Sequence, residues 1–128
     1  MRQIKFRAQD IASNKWLYGD LRHHKDDVCI FEQGGTKGEQ VKRDTIGQFV
    51  GLKDKNGKEI YEGDTVLVSD WTSVYASDYS GTVCFRRGQW VVSYEKYGGE
   101  MTPRLFFDDF SDRKTTITGN IHELKKEL

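Results

Sequence analysis

The chain has 128 residues, 36% of them hydrophobic, and its 20 basic side chains balance its 20 acidic ones. This length suits one domain with room for at most two small lobes. Zero net charge at this apolar content excludes intrinsic disorder, and no apolar run approaches the length of a membrane-spanning helix. The charge balance also disfavours binding of duplex nucleic acid, which usually requires a basic excess.

The composition predicts an all-β, mainly antiparallel fold, because Val, Ile, Thr, Phe, Tyr and Trp far outnumber Ala, Leu and Met. We expect an N-terminal β lobe over residues 1–48. Within it, residues 4–8 alternate between apolar and basic side chains, which predicts a strand with its basic face in solvent. Further strands are expected at residues 16–18, 28–31 and 45–52.

The second predicted lobe, residues 49–128, opens with a specific turn signal. Asn56-Gly57 joins two apolar stretches, which predicts a hairpin with a type I′ turn and positive φ at both residues. Gly63-Asp64 predicts a tight turn or bulge before the next strand. A second hairpin is expected around residues 86–89. We expect the two lobes to form one compact unit.

A last strand, residues 115–118, leads into a short C-terminal helix. Asn120 is a suitable N-cap, and Glu123 stands three residues later, the spacing of a capping box. Helical spacing places three apolar residues on one face, namely Ile121, Leu124 and Leu128. A helix this short must dock on the sheet to be stable.

The best candidate for a binding site is an aromatic segment followed by two arginines. Trp71, Tyr75 and Tyr79 recur every fourth residue, and Arg86 and Arg87 follow in the next turn. Rings beside guanidinium groups suit nucleobases, nucleotides or a protein hot spot. The alternative interpretation is that these rings pack into a thin core.

Other residues carry weaker chemical signals. Adjacent strand residues point to opposite faces, so His23-His24 cannot readily grip one ion, and we expect no metal site or cofactor. Asp108, Asp109 and Asp112 could act as paired carboxylates in a metal-dependent hydrolase, but we interpret them as a solvated loop. The sequence has no P-loop and no nucleophile elbow. Cys29 and Cys84 lie in apolar alternating runs, so we expect two small buried hydrophobic residues and no disulfide.

Three segments carry a resemblance to a known family. The string GLKDKNGKEIYEGD, residues 51–64, closely resembles the hallmark of the YopX family, small proteins carried by phages and prophages. Residues 2–10 with Trp16 resemble the start of that family, and residues 118–123 resemble its end. Gln9 is a departure, since such proteins often carry Trp there. The resemblance implies a mostly β protein with a small SH3-like barrel part, and no catalytic residues.

These observations predict a phage or prophage accessory protein that acts as a non-enzymatic binding module on a host or phage protein. The alternative is a nucleotide or single-stranded nucleic-acid binder, and a hydrolase is a third hypothesis. The first ten residues contain no apolar stretch typical of a secretory signal, so we expect the bacterial cytoplasm and no membrane contact. Exposed strand edges would permit a homo-oligomer.

Overall fold

Antiparallel strands make up nearly all of the regular structure, which confirms the all-β prediction. The computed structural model describes residues 3–32, 35–69, 78–93, 95–96, 99–100, 104–105 and 115–123. The strands in this part of the chain are β1 (Phe6–Gln9), β2 (Trp16–His24), β3 (Asp27–Phe31), β4 (Gly38–Gln40), β5 (Gly47–Lys53), β6 (Glu59–Tyr61), β7 (Asp64–Ser69), β8 (Asp78–Arg86), β9 (Gln89–Ser93), β10 (Glu95–Lys96), β11 (Gly99–Glu100), β12 (Arg104–Leu105) and β13 (Thr115–Asn120).

The chain divides into two units, Met1–Gly51 and Leu52–Leu128, and β5 runs across the division. The first sheet has the strand order β4-β3-β2-β1-β5-β6. A single 3₁₀ turn among the described residues, Arg43–Thr45, leads into β5. Buried apolar side chains form the core of the first unit, namely Ala8, Val28, Ile30 and Val41, with Phe6, Leu17, Leu21 and Ile46 packed against them.

Strand β1 is buried on both faces, so the prediction of a solvated basic face is wrong. Only 7% of Arg7 is exposed. The indole of Trp16, on the neighbouring strand β2, lies 4.6 Å from the guanidinium carbon of Arg7. A guanidinium is more weakly hydrated than an ammonium and stacks on an aromatic ring, so burying it costs less free energy than burying a lysine ammonium. The alternation of apolar and basic residues therefore gave a wrong prediction for the burial of β1.

The first hairpin turns at the predicted place but with different geometry. Among the turn residues only Gly57 has positive φ, at 81°, so the predicted type I′ turn is wrong. The Gly57 N–H donates to the Asp54 carbonyl at 3.0 Å, and the Asp54 N–H donates to the Lys58 carbonyl at 2.8 Å. This is a three-residue loop in which a type I turn is followed by a left-handed glycine. The Asp54 carboxylate selects it by accepting the Asn56 N–H.

The second sheet is open, with the strand order β12-β9-β8-β7-β13. The described strands form no closed barrel, so the SH3-like part of the fold prediction is not confirmed. A barrel closes when its two edge strands pair. Here the outer edge of β13 bonds to the first hairpin instead: the Lys55 N–H donates to the Thr115 carbonyl, and the Ile117 N–H donates to the Asp54 carboxylate.

The predicted helix start is confirmed. Residues 121–123 are helical, and the Asn120 side-chain oxygen accepts the backbone N–H groups of His122 at 2.9 Å and Glu123 at 3.1 Å. The Ile121 N–H donates to the Gly63 carbonyl, which joins the helix to the turn before β7. Leu124 and Leu128 lie outside the described residues. Within the described ranges, no helical segment has the length and apolar character that a membrane crossing requires.

Candidate binding site

The turn between β8 and β9 is a rigid two-residue hairpin loop. Arg86 pairs with Gln89, and the two residues between them have positive φ, 52° at Arg87 and 77° at Gly88. Positive φ at both central positions defines a type I′ turn, whose twist matches the flanking strands. Asn or Gly usually occupies the first position, and a left-handed arginine costs about 1–2 kcal/mol. The sequence therefore keeps an unfavourable residue at the end of this hairpin.

An exposed aromatic ring stands beside that turn. Phe85 is 53% exposed, although its neighbour along the same face, Val83, is fully buried. The Phe85 ring meets the Trp90 ring edge-on, with centroids 5.0 Å apart and planes at 62°. Trp90 is only 9% exposed and fixes the orientation of Phe85. The hairpin thus holds the Phe85 ring in a fixed orientation while about half of that residue stays exposed to solvent.

Two exposed arginines follow Phe85 along the chain. Arg86 and Arg87 are both exposed, and with Phe85 they form what we call the tip cluster. Arg86 also reaches the Cys84 thiol, which stands two residues earlier on the same face of β8. Burial raises the pKa of Cys84, while the positive charge and hydrogen bond of Arg86 act in the opposite direction. The tip cluster therefore offers one arginine tied to the sheet and another at the apex of the turn.

The structure gathers only part of the predicted aromatic site. Trp71 and Tyr75 lie outside the described residues. Tyr79 is opposite Val68 near the start of β8, whereas Arg86 ends that strand. Tyr79 and Arg86 are seven positions apart in an extended strand, which separates their Cα atoms by about 23 Å. The predicted set is thus split, and the ring next to the arginines along the chain is Phe85, which was not among the predicted site residues.

Sequence reasoning also missed a set of cation–aromatic pairs in the first unit. The guanidinium of Arg22 lies 4.4 Å from the Phe31 ring, and the Lys5 ammonium lies 5.7 Å from the Phe49 ring. Strand register places Arg22 and Phe31 on the face opposite the core, together with Tyr18, which is half exposed. The available signal was the alternation of polar or aromatic residues with Leu17 and other apolar residues along β2.

A shallow depression of about 290 Å³ lies over β2, β3 and β4. Leu17 and Ile30 form its floor, and Glu32, Lys37 and Glu39 lie on its rim. Its volume is at the lower limit for pockets that hold small molecules, about 300 Å³. The rim residues are exposed, so the depression does not withdraw polar groups from water in the way that a specific ligand site requires.

The residues with potential metal chemistry form no cluster in the described part of the chain. His23 and His24 are both exposed at the end of β2. No group of three His, Cys, Asp or Glu side chains among the described residues could hold a metal ion. Asp108, Asp109 and Asp112 lie outside those residues. Cys29 and Cys84 are free thiols that are half-buried, not fully buried as predicted.

Comparison with known proteins identifies the family. The model of the YopX protein family matches residues 5–127. The chain belongs to the YopX family. No curated protein matches the sequence. Among solved structures, protein EF1440 from Enterococcus faecalis is similar with a TM-score of 0.55 and 22% identity, over 100% of this chain and 99% of that one. At that identity the likeness concerns the fold alone.

The YopX hallmark segment is structural in this chain. Only 3% of Asp54 is exposed, and its carboxylate accepts three backbone N–H groups, those of Asn56, Lys58 and Ile117, at 2.9, 2.9 and 3.1 Å. Burial acts to raise the pKa of Asp54, but the three hydrogen bonds outweigh it and the pKa is lowered.

A second hallmark carboxylate stabilises the next corner. Asp64 is almost completely buried and accepts the Tyr61 N–H at 2.8 Å. Between them, the Gly63 N–H donates to the Val83 carbonyl on β8. The family signature thus builds the scaffold that supports β8, and β8 carries the tip cluster.

Proposed function

We propose that this YopX-family chain is a non-enzymatic binding module that engages a host or phage protein through the tip cluster. The observation that carries the proposal is Phe85, a ring 53% exposed yet held in place by Trp90. Large exposed apolar side chains on a rigid element are typical of recognition surfaces, because water leaves them on binding.

The composition of the tip cluster supports a protein partner. Aromatic residues and arginine are the side chains most enriched among interface residues that dominate binding energy. Phe85 and both its neighbours along the chain are paired in the hairpin ladder, Cys84 with Val91, Phe85 with Trp90 and Arg86 with Gln89. A surface ordered before binding loses less conformational entropy when the complex forms.

The setting of the proposed activity follows from the family resemblance. In a phage or prophage accessory role, the chain would act in the cytoplasm of the bacterial host and without a cofactor. Among the described strands, β12 is the outermost strand at the other edge of the second sheet, and pairing of such an edge with a second copy makes a homo-oligomer part of the proposal.

A capture experiment with matched variants tests the proposal. Tagged wild-type chain, Phe85→Ser and Ile11→Ser are each exposed to lysate of a host bacterium carrying the phage, and bound proteins are identified by mass spectrometry. Ile11 is 50% exposed in the other unit, so it is a matched control for loss of apolar surface. We expect Phe85→Ser to lose a specific partner that Ile11→Ser retains. Equal capture by all three chains would contradict a role for the tip cluster.

A second candidate function is binding of nucleotides or single-stranded nucleic acid by the first unit. The observation that favours it is the stacked Arg22–Phe31 pair with half-exposed Tyr18 on the same face. Bases stack on aromatic rings and on guanidinium planes alike. Fluorescence anisotropy with a labelled dT12 oligonucleotide and with ATP tests it: binding lost in Tyr18→Ser is expected, and unchanged anisotropy with wild type would eliminate this candidate.

A further inference from the structure

We propose that the tip cluster recognises an acidic segment of its protein partner, in extended conformation, with a carboxylate two residues away from a large apolar side chain. This inference rests on the proposed function and specifies its partner. The carboxylate would pair with Arg87, and the apolar side chain would pack on Phe85.

The backbone of Arg87 is the first step. Its φ of 52° puts an arginine at the apex of a type I′ turn, where Asn, Asp or Gly would relieve the backbone. A residue that breaks a local rule at the exposed end of a well-formed hairpin points to a function of its side chain rather than to folding. A guanidinium at that place is suited to a planar oxyanion, which it can bind through two parallel hydrogen bonds.

The spacing of the two contacts is the second step. Phe85 stands one residue before Arg86, which ends the strand, and Arg87 is the first turn residue, so the Cα atoms of Phe85 and Arg87 are at most about 7 Å apart. In an extended peptide, side chains at positions i and i+2 lie on one side with their Cα atoms about 7 Å apart. An extended partner segment can therefore place its carboxylate on Arg87 while its apolar side chain covers the Phe85 ring.

The charge distribution is the third step, and it favours an acidic protein segment over a nucleic acid. The chain as a whole has zero net charge, with 20 basic and 20 acidic side chains. The tip cluster holds two cations, and one of them, Arg86, also bonds to Cys84. Affinity for a nucleic-acid strand grows with the number of neutralised phosphates, and two cations supply little. A partner segment with one carboxylate beside one apolar side chain matches the composition of the tip cluster.

Selection of peptides from a random library displayed on phage tests the inference. The wild-type chain is the bait, and Phe85→Ser, Arg87→Asn and Ile11→Ser are compared by fluorescence polarisation with the synthetic peptides obtained. Asn suits the left-handed position, so Arg87→Asn removes the guanidinium while it preserves the turn. We expect selected peptides to carry Asp or Glu two positions from Phe, Leu, Ile or Trp. Arg87→Asn should weaken them at least tenfold, and Ile11→Ser should leave them unchanged.

Several outcomes would overturn the inference. Selected peptides without an acidic residue would do so, as would equal affinity for wild type and Arg87→Asn, or no enrichment above an unrelated bait. Binding of dT12 that depends on Arg87 would identify a nucleic-acid strand as the ligand instead. The lysate experiment, extended to Arg87→Asn, separates this inference from the proposed function: a partner that is lost with Phe85→Ser but retained by Arg87→Asn refutes only the acidic segment. A partner indifferent to Phe85 refutes the function itself.

Discussion

Substitution of Asp54 by alanine should destabilise the second unit by about 3 kcal/mol. The carboxylate accepts three N–H groups, and a hydrogen bond to a charged acceptor contributes about 1.5–3 kcal/mol. Asn56 and Lys58 are exposed, so water can replace the carboxylate at their N–H groups. The Ile117 N–H is partly buried on the edge of β13, and its loss accounts for most of the effect.

Urea unfolding followed by circular dichroism measures this loss. For a chain of this size the urea dependence is about 1.5 kcal/mol per M, so Asp54→Ala should lower the midpoint by about 2 M. Asp10 is a matched control, since its carboxylate also accepts two backbone N–H groups, of Ala12 and Ser13, but in an exposed turn of the first unit. Asp10→Ala should shift the midpoint much less. Equal shifts for Asp54→Ala and Asp10→Ala would refute the view that Asp54 holds β13 on the hairpin.

Three further predictions concern stability. The pKa of Asp54 is lowered in the folded chain, so its stabilising effect should be complete above about pH 4 and should disappear as the pH falls through the folded pKa. Urea midpoints measured from about pH 6 to about pH 2.5 should therefore fall more steeply for wild type than for Asp54→Asn. Arg87→Asn should raise the midpoint, by about 1 kcal/mol in free energy, and a decrease would contradict the reading of its positive φ. Gly81→Ala should cost more than Gly57→Ala in the same assay. At Gly81 an added Cβ would stand 2.5 Å from the Ser93 carbonyl oxygen, whereas at Gly57 it meets nothing within 4 Å and the cost is only that of a side chain at a φ of 81°, about 1–2 kcal/mol.

The sequence predicted those features that depend on local chemistry. β-Branched and aromatic content predicted the strands, and the side chain of Asn120 predicted where the helix begins. The hairpin at Gly57 was placed correctly, but its turn type was not, because the deciding contact is the Asp54 carboxylate on the Asn56 N–H. That carboxylate is oriented by Ile117, which is 63 residues away in the sequence. A contact so distant cannot be inferred from a dipeptide.

The candidate site was predictable to a similar extent. Arg86 and Arg87 were recognised as a turn beside aromatic residues, and the structure places them at such a turn. Alternation along β8 places Phe85 on the same face as Val83, which is fully buried, while Phe85 is exposed. Phe85 is exposed because it lies near the hairpin end, where the layer that covers this face stops. The extent of that layer depends on the lengths of the neighbouring strands. Periodicity shows which face a side chain occupies, not how far the covering layer extends.

The family signature and the proposed site have separate roles in the same sheet. Gly63 in the signature donates its N–H to the Val83 carbonyl, two residues before the tip cluster. This hydrogen bond anchors β8 to the signature segment. We therefore expect the triple variant Phe85→Thr, Arg86→Thr, Arg87→Asn to keep its fold. Loss of the Phe85–Trp90 contact should cost about 0.5–1.5 kcal/mol, and relief at residue 87 should return about 1 kcal/mol.

The urea midpoint of the triple variant should accordingly remain within about 0.7 M of wild type, at about 1.5 kcal/mol per M. Capture of the protein partner should be lost in the same variant. A large fall in the midpoint would mean that Phe85 and its neighbours belong to the core of the sheet rather than to a surface kept for recognition. Retained capture at an unchanged midpoint would instead place the binding surface elsewhere on the scaffold that the YopX signature builds.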